Sequence, residues 1–375
     1  MDMMKKEEIV EHENEIDIHG QEDEQVYPMD GIKVDKGFYS VFELKRRYDA
    51  LESRVILDSD FQREDVWNIN RKAELVESVL MGLPLPVFYF NQDKYGRLIV
   101  VDGRQRLTAL FEYMKDDFSL INLKILTELN NLKFSELQPV LQSRIEDYQI
   151  QAHVILPPTP DRIKFDIFDR VNRGGVQLNK QEIRNALYQG EATRLLNKIV
   201  KSEAFINATG NAFINERRMK DKYLVTRFLT FCLAEQNRIL DDEGRQYQYE
   251  GDIDDFLGRG MDAINSMGIT EILDLEELTD KTLKKVFFYM GENAFRLIRN
   301  GKRGPINMNV FETVMCIVKE IPDICDERKV RIKETILALL ESEMFLDNIG
   351  SRRDNAVRLN WRLNTAKEIG RSLAV

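Results

Sequence analysis

The chain has 375 residues, 43% of them hydrophobic, and a net charge of −10. That is material for two domains with real cores, and the absence of any run of about 18 apolar residues excludes a membrane helix. Cys232, Cys316 and Cys325 are odd in number and lack CxxC spacing, which argues for reduced, mostly buried thiols and against a structural zinc site.

The N-terminal stretch MDMMKKEEIVEHENEIDIHGQEDEQV has neither the apolar run nor the small-residue cleavage site of a secretory signal, so a cytoplasmic protein with no membrane attachment is expected. Residues 1–25 carry ten acids against Lys5 and Lys6, a local charge of −8 that leaves −2 for the rest. Residues 1–30 are therefore expected to be an acidic, disordered tail. Such a tail is either a solvating extension or a mimic of nucleic acid that competes for a basic site. The near-neutral remainder argues against constant, non-specific DNA binding but permits a local basic patch.

From 38 to 190 strand and helix signals alternate, as in a mixed α/β domain. RVIL (54–57) is a short strand-like run. Asn70 is the expected cap of a helix that aligns Leu75, Val76, Val79 and Leu80 on one face and stops at Gly82, Pro84 and Pro86. VFYFN and LIVV read as strands joined by the turn QDKYGR. After Gly103, Leu107, Leu110, Phe111 and Met114 follow helical spacing. A helix after Ser135 and a strand YQIQAHVIL (148–156) come next. Thr159 is the expected cap, and Pro160 the first residue, of a helix reaching Val171. Asn179 with Glu182 forms a capping-box pattern. From 191 to 375 the rhythm is helical almost throughout, in MKDKYLVTRFLTFCLAEQNRIL, KTLKKVFFYMGENAFRLIRN and KVRIKETILALLESEMFL, with no fixed-period repeat.

Three stretches are candidates for chemistry. In VVDGRQRLTAL a strand breaks at Asp102-Gly103 and a helix begins with Arg104, Gln105 and Arg106. Helix starts point N–H groups and about half a positive charge outward, which suits phosphate. Gly103 permits close approach, Arg104 and Arg106 suit bidentate contacts, Gln105 suits a water or a ribose, and Asp102 suits a metal ion or an arginine. The alternative is an ordinary turn with arginines paired to nearby acids. FQREDVWN places Gln62 and Arg63 before Trp67, either as polar site residues or beside a Trp buried for packing. RVNRGGVQLNKQEIRNA places Asn172, Gly174, Gly175 and Glu182 together, either around a ligand or as a tight loop with its cap. Three basic clusters (216–222, 296–304 and 351–362) either compensate helix dipoles or together track a phosphate backbone.

Walker A and GxSxG are absent, which sets aside P-loop NTPases and serine hydrolases of that type. The histidines are His12, His19 and His153, too few for a His-based nuclease centre. His153 reads as an ordinary packed or half-exposed strand residue.

These motifs, in this order, resemble the GmrSD restriction endonuclease N-terminal-domain family, related to the ParB/sulfiredoxin fold. The resemblance rests on Phe61-Gln62-Arg63 with Val66-Trp67, on GLPLP (82–86), and on Asp102 to Thr108. It continues in Arg170 to Leu178 and in Glu182 to Ala186, covering residues 38–190 strongly and the remainder weakly. It implies an α+β fold, a ParB-like nucleotide-binding domain over 38–190 followed by an all-helical domain over 191–375. It also implies nucleotide binding and, in some members, NTP hydrolysis that controls a DNA-cleaving activity in bacterial defence against phage. The catalytic residues it implies are Asp102, Gln105, Arg106 and Glu182. The nucleotide-binding ones are Gln62, Arg63, Gly103, Arg104, Arg106, Asn172, Gly174 and Gly175. Position 104 is often glutamine in the family and is Arg104 here. The cofactor implied is an NTP, with Mg²⁺ compatible but supported by no ligand cluster in the sequence. The His-containing nuclease domain of restriction members is missing, so DNA or a separate nuclease or modification enzyme is the expected partner. The competing reading is a non-catalytic DNA-binding or adaptor protein that keeps the pocket for structure only.

Overall fold

The computed structural model describes residues 32–374 apart from 58–66, Lys94, 173–178, Arg217, Asp242, 300–301, Asp323 and 350–355. The chain divides into two compact units, one ending at Leu178 and one running from Asn179 to Val375. The expected acidic tail lies outside the described residues.

The first unit is built on a mixed five-stranded sheet in the order β1-β5-β3-β4-β2. Its strands are β1 (Val34–Ser40), β2 (Val55–Ile56), β3 (Phe88–Gln92), β4 (Leu98–Asp102) and β5 (Gln149–Ile155). β3 and β4 form the expected antiparallel hairpin, and β5 runs parallel to β3. The period-2 alternation of these strands puts Phe88, Phe90, Leu98, Val100, Ile150, Ala152 and Val154 on one face. Helices α1 (Val41–Tyr48), α2 (Ile69–Leu80), α3 (Arg104–Met114) and α4 (Pro139–Glu146) contribute Val41, Leu44, Val76, Val79, Leu107 and Leu110 to that core. Ile99 and Ile155 alternate to the other face and are buried as well. Ile163, Phe165 and Phe168 of α5 (Asp161–Asn172), a helix that contacts β4, are also buried.

Three local expectations need correction. The cap of α2 is Asn68, whose side chain accepts from the Arg71 amide at 3.0 Å. Asn70 sits inside the helix and accepts from Asn122 instead. Thr159 does not cap α5. Its hydroxyl accepts from the Lys33 amide at 3.1 Å, which fastens the chain before β1. The helix expected after Ser135 starts only at Pro139, a residue suited to the first turn of a helix.

The second unit is mostly helical: α6 (Lys180–Leu187), α7 (Glu191–Val200), α8 (Glu203–Ala208), α9 (Lys220–Glu235), α10 (Ile253–Asn265), α11 (Ile269–Met290), α12 (Met308–Glu320), α13 (Lys329–Glu341), α14 (Glu343–Ile349) and α15 (Ala356–Ala374). It also holds a two-stranded hairpin, β6 (Arg296–Arg299) with β7 (Lys302–Ile306). The sequence pattern of KTLKKVFFYMGENAFRLIRN was read as helical to its end, but the helix stops at Met290. Gly291 follows at φ +71°, a conformation that ends a helix readily. Leu224, Phe228, Phe295, Phe311, Val314, Ile317 and Leu359 lie in the core of this unit.

One ionic cluster lies inside that core. Glu312 of α12 accepts from Arg227 of α9 at 2.7 Å and from Arg362 of α15 at 2.7 Å. All three side chains are 0–1% exposed. Tyr223 adds its hydroxyl to the Arg227 guanidinium. Three helices are thus pinned by one carboxylate.

Candidate functional site

The β4–α3 turn carries the strongest of the sequence motifs, and its construction follows from the hairpin that precedes it. β4 is buried along its length until Asp102. Gly103 then takes φ +99°, and a Cβ built there would lie 2.1 Å from Cδ1 of Phe88. Both the backbone conformation and the missing space require glycine. α3 begins at Arg104 with no side-chain cap and no acid in its first turn, so the positive end of its dipole is not offset by a carboxylate inside the turn.

Arg106 holds this turn from beneath. It is 9% exposed, and its Nη2 donates to Asp102 Oδ2 at 2.8 Å. Nη1 donates to the Pro86 carbonyl, and the guanidinium carbon sits 4.1 Å from the centroid of the Phe88 ring. Burial pulls the Arg106 pKa below the ordinary arginine value while Asp102 acts in the opposite direction; an arginine stays charged through such a change. Of the two readings of the arginines, Arg106 takes the paired one. Asp102, offered as a partner for a metal or an arginine, binds the arginine, and its charge is matched within the turn.

Gln105 faces another way. Its Oε1 accepts from the Trp67 amide at 3.1 Å, tying the turn to the residue before the α2 cap. Trp67 packs against the core, and the Arg71 guanidinium stacks 4.5 Å from the centroid of its ring. Arg104 is half-buried. Across the sheet, Tyr89 is in register with both Asp102 and His153. The Tyr89 and His153 rings stack at 5.3 Å, which is the half-exposed packing role expected of His153.

The remaining candidates are placed as follows. Gln62, Arg63, Gly174 and Gly175 lie outside the described residues, as does the side chain of Asn172, the last residue of α5. Glu182 belongs to the second unit and is 1% exposed. Its Oε2 accepts from the Asn179 amide at 2.6 Å, the Asn179 side chain returns the bond, and Arg218 approaches Oε1 at 3.3 Å. The expected capping box is therefore formed, and it occupies the carboxylate. Beside it Arg184, fully buried, binds Asp254 at 2.6 Å together with Lys180 at 2.7 Å. Those two cations hold the Asp254 carboxyl below its ordinary pKa against the opposing effect of burial.

Phe88 and Pro86 were missed by the sequence reading, although they form the seat of Arg106. A hairpin register was the available signal, since pairing VFYFN with LIVVD brings the start of one strand beside the end of the other. Among the described residues no group of three His, Cys, Asp or Glu is disposed to hold a metal. With Asp102 engaged by Arg106, the donor set at the turn does not fit a protein cage for Mg²⁺.

Comparison with known families matches residues 44–189 to the GmrSD restriction endonuclease, N-terminal domain. That range holds β2–β5, the β4–α3 turn and the capping box at Asn179. No curated protein and no solved structure matches the chain. Among the described residues no helix is long and apolar enough to cross a membrane.

Proposed function

Because residues 44–189 are a GmrSD restriction endonuclease N-terminal domain, we propose that this protein binds a nucleoside triphosphate at the β4–α3 turn and regulates a cytoplasmic restriction system that defends against phage. The observation that carries this reading is the turn itself. A left-handed glycine opens α3 at the carboxyl end of an interior strand, with no acid in the first turn and Arg104 at its first position. Helix starts that follow strand ends are the common seat of phosphate groups in α/β folds. Arg106 is a positioning residue here, not a phosphate ligand: it neutralises Asp102, so the nearest carboxylate does not repel the anion. Gln105 keeps the turn registered against Trp67.

The proposed role is binding rather than turnover. Asp102 accepts from Arg106 and Glu182 from the Asn179 amide of its own cap, so in this reading both carboxylates serve the frame. DNA cleavage is assigned to a separate nuclease or modification enzyme, on which the nucleotide-bound domain would act.

Equilibrium titration of the full chain with labelled nucleoside triphosphates tests this. The parent is expected to bind saturably, and Arg104→Glu to weaken binding by about tenfold or more, the equivalent of one charge-assisted contact. Equal affinity in the parent and Arg104→Glu, with both folded by circular dichroism, would overturn the assignment.

A further inference from the structure

The sheet of the first unit has a second face, turned away from the core that holds Phe88 and Phe90, and among the described residues it is covered on one side only. Toward β4, Ile99, Ile155 and Asn91 are at most 2% exposed, and α5 contacts β4. Toward the edge strand β1 the face is open. Phe38 is 66% exposed, and its cross-strand partner Gln151 is exposed as well.

Tyr89 and His153 sit where the covered part meets the open part. Strand alternation puts both on this second face. They are half-buried, and their rings stack at 5.3 Å. His153 pairs with Lys36 of β1, which places Phe38 diagonal to it, a separation that an aromatic side chain can span. On the other side Tyr89 is in register with Asp102, the residue before Gly103. His153 is therefore two strand spacings, about 10 Å, from the end of β4.

Asn91 is an independent pointer. It lies two residues along β3 from Tyr89 on the same face, and its Oδ1 is buried with no hydrogen-bond partner among the described residues. Buried polar atoms are normally bonded, so a bare acceptor near a ring pair calls for a donor. A nucleobase offers both an aromatic face and N–H groups at its edge.

We infer that the base of the nucleotide stacks on the Tyr89–His153 pair, flanked by Phe38 on the open side, with an N–H of its edge donated to Asn91. This placement rests on the reading in which the β4–α3 turn seats the phosphates.

Equilibrium titration of the full chain with a nucleoside triphosphate and with inorganic tripolyphosphate, which has the phosphates and no base, tests it. The parent is expected to bind the nucleotide about tenfold more tightly, the usual worth of one stacked base. His153→Ala is expected to lose most of that preference, with tripolyphosphate affinity unchanged, and His153→Phe to keep it. Phe38→Ala, at an exposed position with little influence on folding, is expected to weaken the nucleotide selectively. Asn91→Leu is expected to do the same while its Tm holds or rises, because a bare buried polar atom is removed. Equal affinity of the parent for the two ligands overturns the inference and leaves the turn assignment standing. So does a preference kept by both alanine variants, or an equal loss of both ligands in them. A parent that binds neither ligand overturns the turn assignment itself, and the base site with it.

Discussion

Glu312→Leu is expected to lower the stability of the helical unit by about 3–5 kcal/mol, the usual consequence of stripping the counter-charge from buried ions. The substitution leaves Arg227 and Arg362, both 1% exposed, without the carboxylate that binds both guanidinium groups in that core. They then either repel one another or open the packing of α9 and α15 to reach water. Each also loses its strongest hydrogen bonds, since Glu312 receives Nε and Nη2 of both. Glu312→Gln keeps an acceptor but removes the charge and is expected to cost less. Urea unfolding followed by tryptophan fluorescence and circular dichroism measures both. A loss below about 1 kcal/mol for the leucine variant would mean that the triad contributes no more than an exposed ion pair.

Gly103→Val combines two separate penalties and is the second large effect. A β-branched residue at φ +99° is strained by about 1–3 kcal/mol, and the new Cβ meets Cδ1 of Phe88 at 2.1 Å. Overpacking of that kind costs about 1–3 kcal/mol more. Phe88 cannot retreat without disturbing Arg106, which lies against its ring and binds Asp102. The total expected loss is about 2–6 kcal/mol. Adding Phe88→Ala to Gly103→Val should recover part of the clash term, so the two substitutions should be strongly non-additive in denaturant unfolding. Additive losses would show that the glycine is required by backbone conformation alone.

Much of this fold was legible in the sequence because its signals are local. The apolar runs VFYFN and LIVV with a polar turn between them fixed a hairpin, and the Asn179–Glu182 spacing fixed a cap that the structure forms. The boundaries that failed had two candidates side by side. Asn68 and Asn70 both suit a cap, and only packing decides which lies outside the helix. Thr159 precedes a helix, yet its hydroxyl is used over a distance of 126 residues, by Lys33, and no local pattern contains that. The hairpin β6–β7 was hidden in a helical rhythm, although its Asn300-Gly301 pair is a turn signal.

The site was legible in part. The Asp102-Gly103 break and the basic helix start were visible, and they led correctly to a glycine-bearing turn at the end of a strand. What the sequence did not reveal was how its polar groups are used. Arg106 and Asp102 are four residues apart and satisfy each other, and Glu182 is taken up by its own cap. Residue type identifies groups able to bind an anion or activate water. Burial then decides which of them face the ligand and which build the frame beneath it.

The most direct measurement is amide hydrogen exchange of the full chain with and without a saturating nucleoside triphosphate. An account in which the β4–α3 turn seats the phosphates predicts slowed exchange in the peptide covering Gly103 to Thr108, where the anion would hold the first-turn amides. Nucleotide that binds saturably yet leaves exchange across that peptide unchanged, and slows it elsewhere, would contradict it.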